Sequence, residues 1–166
     1  MAQEQRIAVI RFIVDKIKDV GKIKIQKLIY FLQMVFEVPF GYDYKMHYYG
    51  PYSEELNDDL VVMQVNNIVN VEADPAGYGY HIMPGSEKTT AMNEVLEKYS
   101  NSISKCLDSL KSFSPSQLEI LGTLHFVNNV AGVSDEEKII EKTAMLKPLF
   151  SKSSIEEMYN ELKKLK

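Results

Sequence analysis

Few residues in this chain have the types and spacing for covalent or metal chemistry. His47, His81 and His125 are its three histidines, and no two lie within thirty residues of each other. They lack the i to i+4 spacing by which a helix presents two imidazoles to one metal ion, so zinc or iron would need three separate elements and added carboxylates. Cys106 is the only cysteine. It forms no internal disulfide and excludes a Cys-based zinc site, and within SISKCLDSL it falls between Ile103 and Leu110 as a small apolar packing residue. Asp58 and Asp59 are adjacent, hence about 100° apart on a helix, and cannot share a proton as a catalytic carboxylate pair does. Gly77 and Gly79 have no following Lys and no strand-to-helix context, which excludes a phosphate loop. With no convergent titratable set, the chain reads as a non-enzyme without cofactor or metal.

The remaining chemistry is recognition. From Met46 to Glu87, forty-two residues contain no Lys or Arg and seven acids: Glu54, Glu55, Asp58, Asp59, Glu72, Asp74 and Glu87. Residues 1–45 carry eight bases against five acids, and residues 88–166 eleven against eleven, so the formal charge of −4 is concentrated in the middle of the chain. Seven of the ten tyrosines fall in or beside that acidic stretch: Tyr42, Tyr44, Tyr48, Tyr49, Tyr52, Tyr78 and Tyr80. Tyrosine offers rigid contact area with a polar tip, and beside carboxylates it favours Arg or Lys from a partner. The expected docking face therefore comprises Tyr49, Tyr52, Glu54, Glu55, Asp58, Asp59 and Tyr80, offered to a basic protein. Glu55 and Asp59, at i and i+4, are expected to share one face.

The elements that position these residues follow from periodicity and punctuation. Ile7, Ile10, Ile13, Val14 and Ile17 recur at helical spacing and predict a helix over 4–19 that Gly21 ends. Ile25, Leu28, Ile29, Leu32 and Phe36 predict a second helix from Lys22 to Phe36, with Lys22, Lys24 and Lys27 on its remaining, solvated turns. YDYKMHYY (42–49) suits a short strand that Gly50-Pro51 breaks. Ser53 is an N-cap for a third helix, with Glu54 and Glu55 favoured in its first turn by the helix dipole. IVNVE, the turn-rich ADPAGYG and YHIM then read as a hairpin. Helix, helix, strand, helix, hairpin is a winged-helix order, predicting a winged-helix-like domain over 1–85. Beyond it the pattern is helical. Capping signals at Ser114/Gln117, Ser134/Glu137 and Ser154/Glu157 predict helices over 86–112, 115–130, 135–147 and 154–165, a bundle (86–166) packed on the first domain as one unit. The fold class is thus mainly α, or α+β.

GKIKIQKLIYFLQ (21–33), followed by HYYGPYSEELNDDL (47–60), resembles the YwgA-like proteins and, more distantly, the Panacea domain of SocA-type antitoxins. Lys24, Gln26, Lys27, Leu28, Tyr30, Tyr49, Gly50, Pro51, Ser53 and Leu56 carry the resemblance, which spans residues 5–85 and reaches loosely to 118–126 and 146–150. It implies a mainly helical domain without known catalytic residues, in some relatives the neutralising partner of a toxin.

A winged helix that binds DNA relies on Lys and Arg against phosphate, and here the region expected to enter a groove is acidic. The function expected is therefore a protein-interaction or regulatory module, antitoxin-like, that occludes a basic partner such as a toxin. The alternative is a DNA-binding regulator that meets phosphate through Lys22, Lys24 and Lys27 on the basic amino-terminal helices, as a homodimer. No apolar run reaches eighteen residues, and Glu4, Arg6, Arg11 and Asp15 interrupt the amino-terminal stripe as a secretory signal would not tolerate, so a cytoplasmic, membrane-free protein is expected.

Overall fold

The apolar stripe at the amino terminus forms α1 (Gln3–Ile17), which buries Ile7, Ile10, Ile13 and Val14. It stops earlier than the position of Gly21 suggests, because Lys18 turns left-handed with φ 73°. Gly21 instead lies in β1 (Val20–Gly21) and serves as N-cap of α2 (Lys22–Met34). These positions belong to a computed structural model that describes residues 1–77, 79–89 and 93–165. After α2 come a two-stranded ribbon, β2 (Lys45–His47) and β3 (Gly50–Tyr52), then α3 (Glu54–Val65) and the hairpin β4 (Val69–Ala73) and β5 (Tyr80–Pro84). The helices α4 (Asn93–Leu110), α5 (Pro115–His125), α6 (Glu136–Leu146) and α7 (Lys152–Lys164) complete a mainly α-helical molecule with a small antiparallel sheet.

That sheet has the order β1-β5-β4, with Val20 opposite Ile82 and Val71 opposite Ile82 on its other side. Strand β1 is therefore the element that ties the amino-terminal helices to the hairpin. The β2–β3 ribbon stands apart, pairing Lys45 with Tyr52 and His47 with Gly50. Gly50-Pro51 does not break the chain here but forms β3. Gly50 has φ +82°, and a Cβ on it would lie 3.1 Å from the Glu119 carbonyl oxygen and 3.2 Å from Lys27 Cε, so only glycine fits. Pro51 packs on α5, where a Cβ on Gly122 would meet its Cδ at 3.2 Å.

Helix α2 is the axis of the core. From Ile25 to Leu32 every residue is buried, because α4, α5 and β3 surround it. The expected division into an apolar face and a solvated lysine face fails over this span for that reason; a stretch of helix enclosed on all sides has no solvated face, and Lys22 and Lys24 reach solvent only from the first turn. One cluster of buried apolar side chains runs from Ile7 and Ile10 through Ile29 and Phe31 to Leu121 and Leu162. Some helix starts differ from expectation as well. Ser114 and Gln117 form the expected capping box, but α6 is capped by Asp135 rather than Ser134, and α7 by Ser151 rather than Ser154. Helix α5 ends in a π-helical turn, Phe126–Val130.

Candidate functional site

The acidic segment is built as α3. Ser53 Oγ accepts from Leu56 N at 3.3 Å, and Glu54 and Glu55 occupy the first turn, where the exposed amides favour negative charge. Leu56, Asp59, Leu60 and Met63 face inward. Glu54, Asp58, Val61, Val62 and Val65 face solvent, the last 75% exposed. The outward side of α3 is thus acidic in its first turns and apolar in its last, with no cation.

Asp59 is not part of that outward side. Only 1% exposed, it accepts hydrogen bonds from Tyr42 OH at 2.5 Å, Gln3 Nε2 at 2.8 Å and Arg6 Nε at 2.8 Å. Burial by itself raises an aspartic acid, but the bonds from Arg6, Tyr42 and Gln3 outweigh it and hold the carboxyl below its ordinary value. The group pins α1 to α3, and its expected role in partner binding is corrected accordingly. Glu55 remains exposed, but its Oε2 accepts from Asp43 N at 2.9 Å and Ser53 Oγ at 3.2 Å, fastening the chain that leads into α3. Glu55 and Asp59 therefore do not form the shared face their spacing suggests.

The tyrosines divide into packing and presenting groups. Tyr42 is buried against Asp59, and Tyr44 meets the Tyr30 ring edge-on at 4.9 Å with its hydroxyl buried and without a hydrogen-bond partner among the described residues. Tyr48, at 85% exposure, Tyr49 and Tyr80 are open to solvent, and Tyr52 is half-buried. Burial raises the Tyr52 phenol, and the nearby Glu54 and Asp58 charges add to that shift. Tyr78 lies outside the described residues.

Two lysines of α2 are engaged by backbone carbonyls, Lys27 in the core and Lys24 at its edge. Lys27, 1% exposed, donates from Nζ to the Pro51 carbonyl at 2.6 Å, and Lys24 Nζ reaches the carbonyls of Lys111 at 2.5 Å and Phe113 at 3.0 Å. Burial pushes the Lys27 amine down to about 7, with Glu119 opposing and Lys147 assisting. On the other side of the ribbon, Lys147 pairs with Glu119 at 2.8 Å and donates to the carbonyls of His47 and Tyr48. Two buried lysines thus hold the ribbon that carries Tyr48 and Tyr49. Sequence reasoning missed both roles, although three of the four helical neighbours of Lys27 (Ile23, Tyr30 and Phe31) are apolar, which is the signal of an inward position. Of the three expected phosphate contacts Lys22 and Lys24 stay half-exposed, Lys22 with Nζ 5.6 Å from the centre of the Tyr80 ring.

The histidines lie in three different settings. His125 is buried on α5, Nδ1 2.8 Å from Tyr30 OH, as expected for a core imidazole. His47 leans on the Tyr52 ring at 5.2 Å. His81 bridges two acids, with Nδ1 2.9 Å from Asp19 and Nε2 2.9 Å from Asp74, and the two bonds raise its pKa, that from Asp74 most. Cys106 is buried with its thiol pushed up by desolvation, in keeping with an apolar packing role.

Between the start of α2, the ribbon, the start of α3 and the β4–β5 turn lies a cleft of about 870 Å³. Its lining includes Lys22, Lys27, Tyr49, Tyr52, Glu54 and Tyr80. Four of the seven residues expected at a partner site are therefore brought together at one cleft, Asp58 follows one turn beyond Glu54, and Glu55 and Asp59 are turned to structural work.

No protein-family model matches the chain. Protein YwgA of Bacillus subtilis (strain 168), described as uncharacterised, is 30% identical to it over 125 residues, which is 72% of this chain and 70% of that protein. The chain belongs to the YwgA family. A shared stretch of 125 residues is longer than the first 85 or the last 81, so the family likeness extends across residue 85 into the carboxy-terminal helices.

Proposed function

We propose that the chain is a non-enzymatic interaction module whose partner is a protein with a basic and apolar surface. The observation that carries this reading is the outward side of α3: Glu54, Asp58, Val61, Val62 and Val65, without a base among them. We further read α1, β1, α2, α3, β4 and β5 as a winged helix in which the β2–β3 ribbon is inserted between the second and third helices. The strand order β1-β5-β4 supports it, since the strand after the first helix pairs with the last strand of the hairpin. In such a fold α3 is the helix that enters a DNA groove. A carboxylate facing phosphate is repelled, and non-specific DNA affinity depends on Lys and Arg releasing counterions. Exposed valines on the same helix favour a dry protein contact instead.

Neutralisation of a toxin or control of a defence component is the specific role that the resemblance to antitoxin domains offers, with the α3 face and the presenting tyrosines covering the partner. Fluorescence anisotropy with generic duplex DNA at low ionic strength tests the choice of partner class. The expected result is no binding in the micromolar range; binding that weakens steeply with added salt would overturn it.

A further inference from the structure

The cleft between the ribbon and α3 joins ring faces to a carboxylate, with a second one turn along the helix. Tyr52 and Glu54 both line it, and Asp58 lies one helical turn beyond Glu54 on the same side of α3, where residues four apart have Cβ atoms about 5–6 Å from each other. Among the described residues neither carboxylate forms a salt bridge. Burial raises the Tyr52 phenol and both carboxylates add to that shift, so the ring stands beside two negative charges. The wing-side wall already accommodates a cation on an aromatic face, where Lys22 Nζ stands 5.6 Å from the Tyr80 ring centre. Lys27, the other amine of the lining, is committed to the Pro51 carbonyl and burial weakens its charge. Lys45, the strand partner of Tyr52, is exposed and unpaired with either acid.

We propose that this cleft receives an arginine side chain presented by an extended segment of the protein partner, its guanidinium stacked on Tyr52 and held by Glu54 and Asp58. The volume exceeds what one side chain fills and suits a short stretch of chain. Arginine is favoured over lysine because its planar, weakly hydrated guanidinium stacks on a ring and offers parallel N–H donors to carboxylates, whereas an ammonium is a compact, strongly hydrated charge. Tyr49 supplies further ring surface, the Tyr80 ring being engaged by Lys22. This assignment rests on the reading of the α3 face as a protein-docking surface and names the chemistry of its deepest contact.

The test is titration of the full-length isotopically labelled protein with N-acetyl-arginine amide, followed by amide chemical shifts. N-acetyl-lysine amide and adenosine monophosphate are the comparison probes. Saturable shifts at Tyr49, Tyr52, Glu54 and Tyr80, several-fold stronger binding of the arginine probe than of the lysine probe, and a loss of roughly tenfold in a Glu54→Gln/Asp58→Asn variant of unchanged melting temperature are expected. Absence of a saturable response, equal response in the variant, or preference for the nucleotide would overturn the assignment. If the arginine probe fails while substitution of Val61 and Val65 still abolishes binding of the native partner, the docking surface stands and the arginine receptor falls. If the probe binds but the native partner ignores both valines, the cleft stands and the α3 surface falls.

Discussion

At the scale of single residues, charge burial separates structural from presenting groups. Asp59 looks in sequence like its neighbour Asp58, yet three donors converge on it while Asp58 faces solvent. Asp59→Asn removes the charge and replaces one of the two accepting oxygens with an NH2 donor, so the donors from Arg6, Tyr42 and Gln3 can no longer all be satisfied; it is expected to lower stability by about 2–3 kcal/mol at neutral pH, below the full cost of a fully buried pair because Arg6 is partly exposed. Its folded pKa is depressed, so the stabilisation is present above the unfolded value and disappears as pH falls through the folded one. Urea unfolding of both proteins across the acid range checks this, with the two converging at the acid end. Lys27 behaves in the opposite sense. Its amine is lowered to about 7 in the fold, so the unfolded chain binds the extra proton between that value and the ordinary lysine range, and stability rises with pH across that window. Lys27→Met is expected to flatten that rise, measured as unfolding free energy from pH 7 upward. Neither role was legible from residue type, since what decides them is which partner the fold brings from 17 to 56 positions away.

At the scale of elements, local signals carried most of the secondary structure and failed where an element is too short for a period or is defined by a distant partner. The stripe Ile7–Ile17, the Ser53 and Ser114 caps and the β4–β5 hairpin are all present where their patterns put them. Strand β1 is only two residues long and exists through pairing with β5, so no alternation announces it. The ribbon is similar: Gly-Pro reads as a break, but Lys27, Thr123 and the Glu119 carbonyl crowd Gly50 into a strand that only glycine can enter. Gly50→Ala combines a positive φ with a 3.1 Å clash against backbone and is expected to cost about 2–4 kcal/mol, read as a fall in melting temperature. In the β4–β5 hairpin, both ring nitrogens of His81 face carboxylates, an arrangement that needs the doubly protonated imidazolium. Its folded pKa is raised, so the clamp is fully present below the unfolded value near 6.5 and lost as pH rises through the folded one. NMR titration of the imidazole is expected to give a pKa above the ordinary value that falls back in Asp74→Asn.

At the scale of the whole molecule, the acids and tyrosines predicted as one docking face are sorted by the fold into three roles. Asp59 and Glu55 hold the structure, Glu54 joins Tyr49, Tyr52 and Tyr80 at the cleft, and Asp58 with Val61, Val62 and Val65 forms the outward side of α3. The charge segregation was readable from composition, whereas the exposed valines and the inward turn of Asp59 depend on which side of α3 meets the core. The basic counterweight at the amino terminus is likewise redistributed, because Lys24 and Lys27 spend their donors on backbone carbonyls. The most direct measurement is the affinity of the native partner, purified with the protein from its source organism, for wild type and for Asp58→Lys and Val61→Ser/Val65→Ser variants of unchanged melting temperature. A fall of at least about tenfold in each variant is predicted, equivalent to roughly 1.4 kcal/mol or more. Undiminished affinity in both variants would contradict the account.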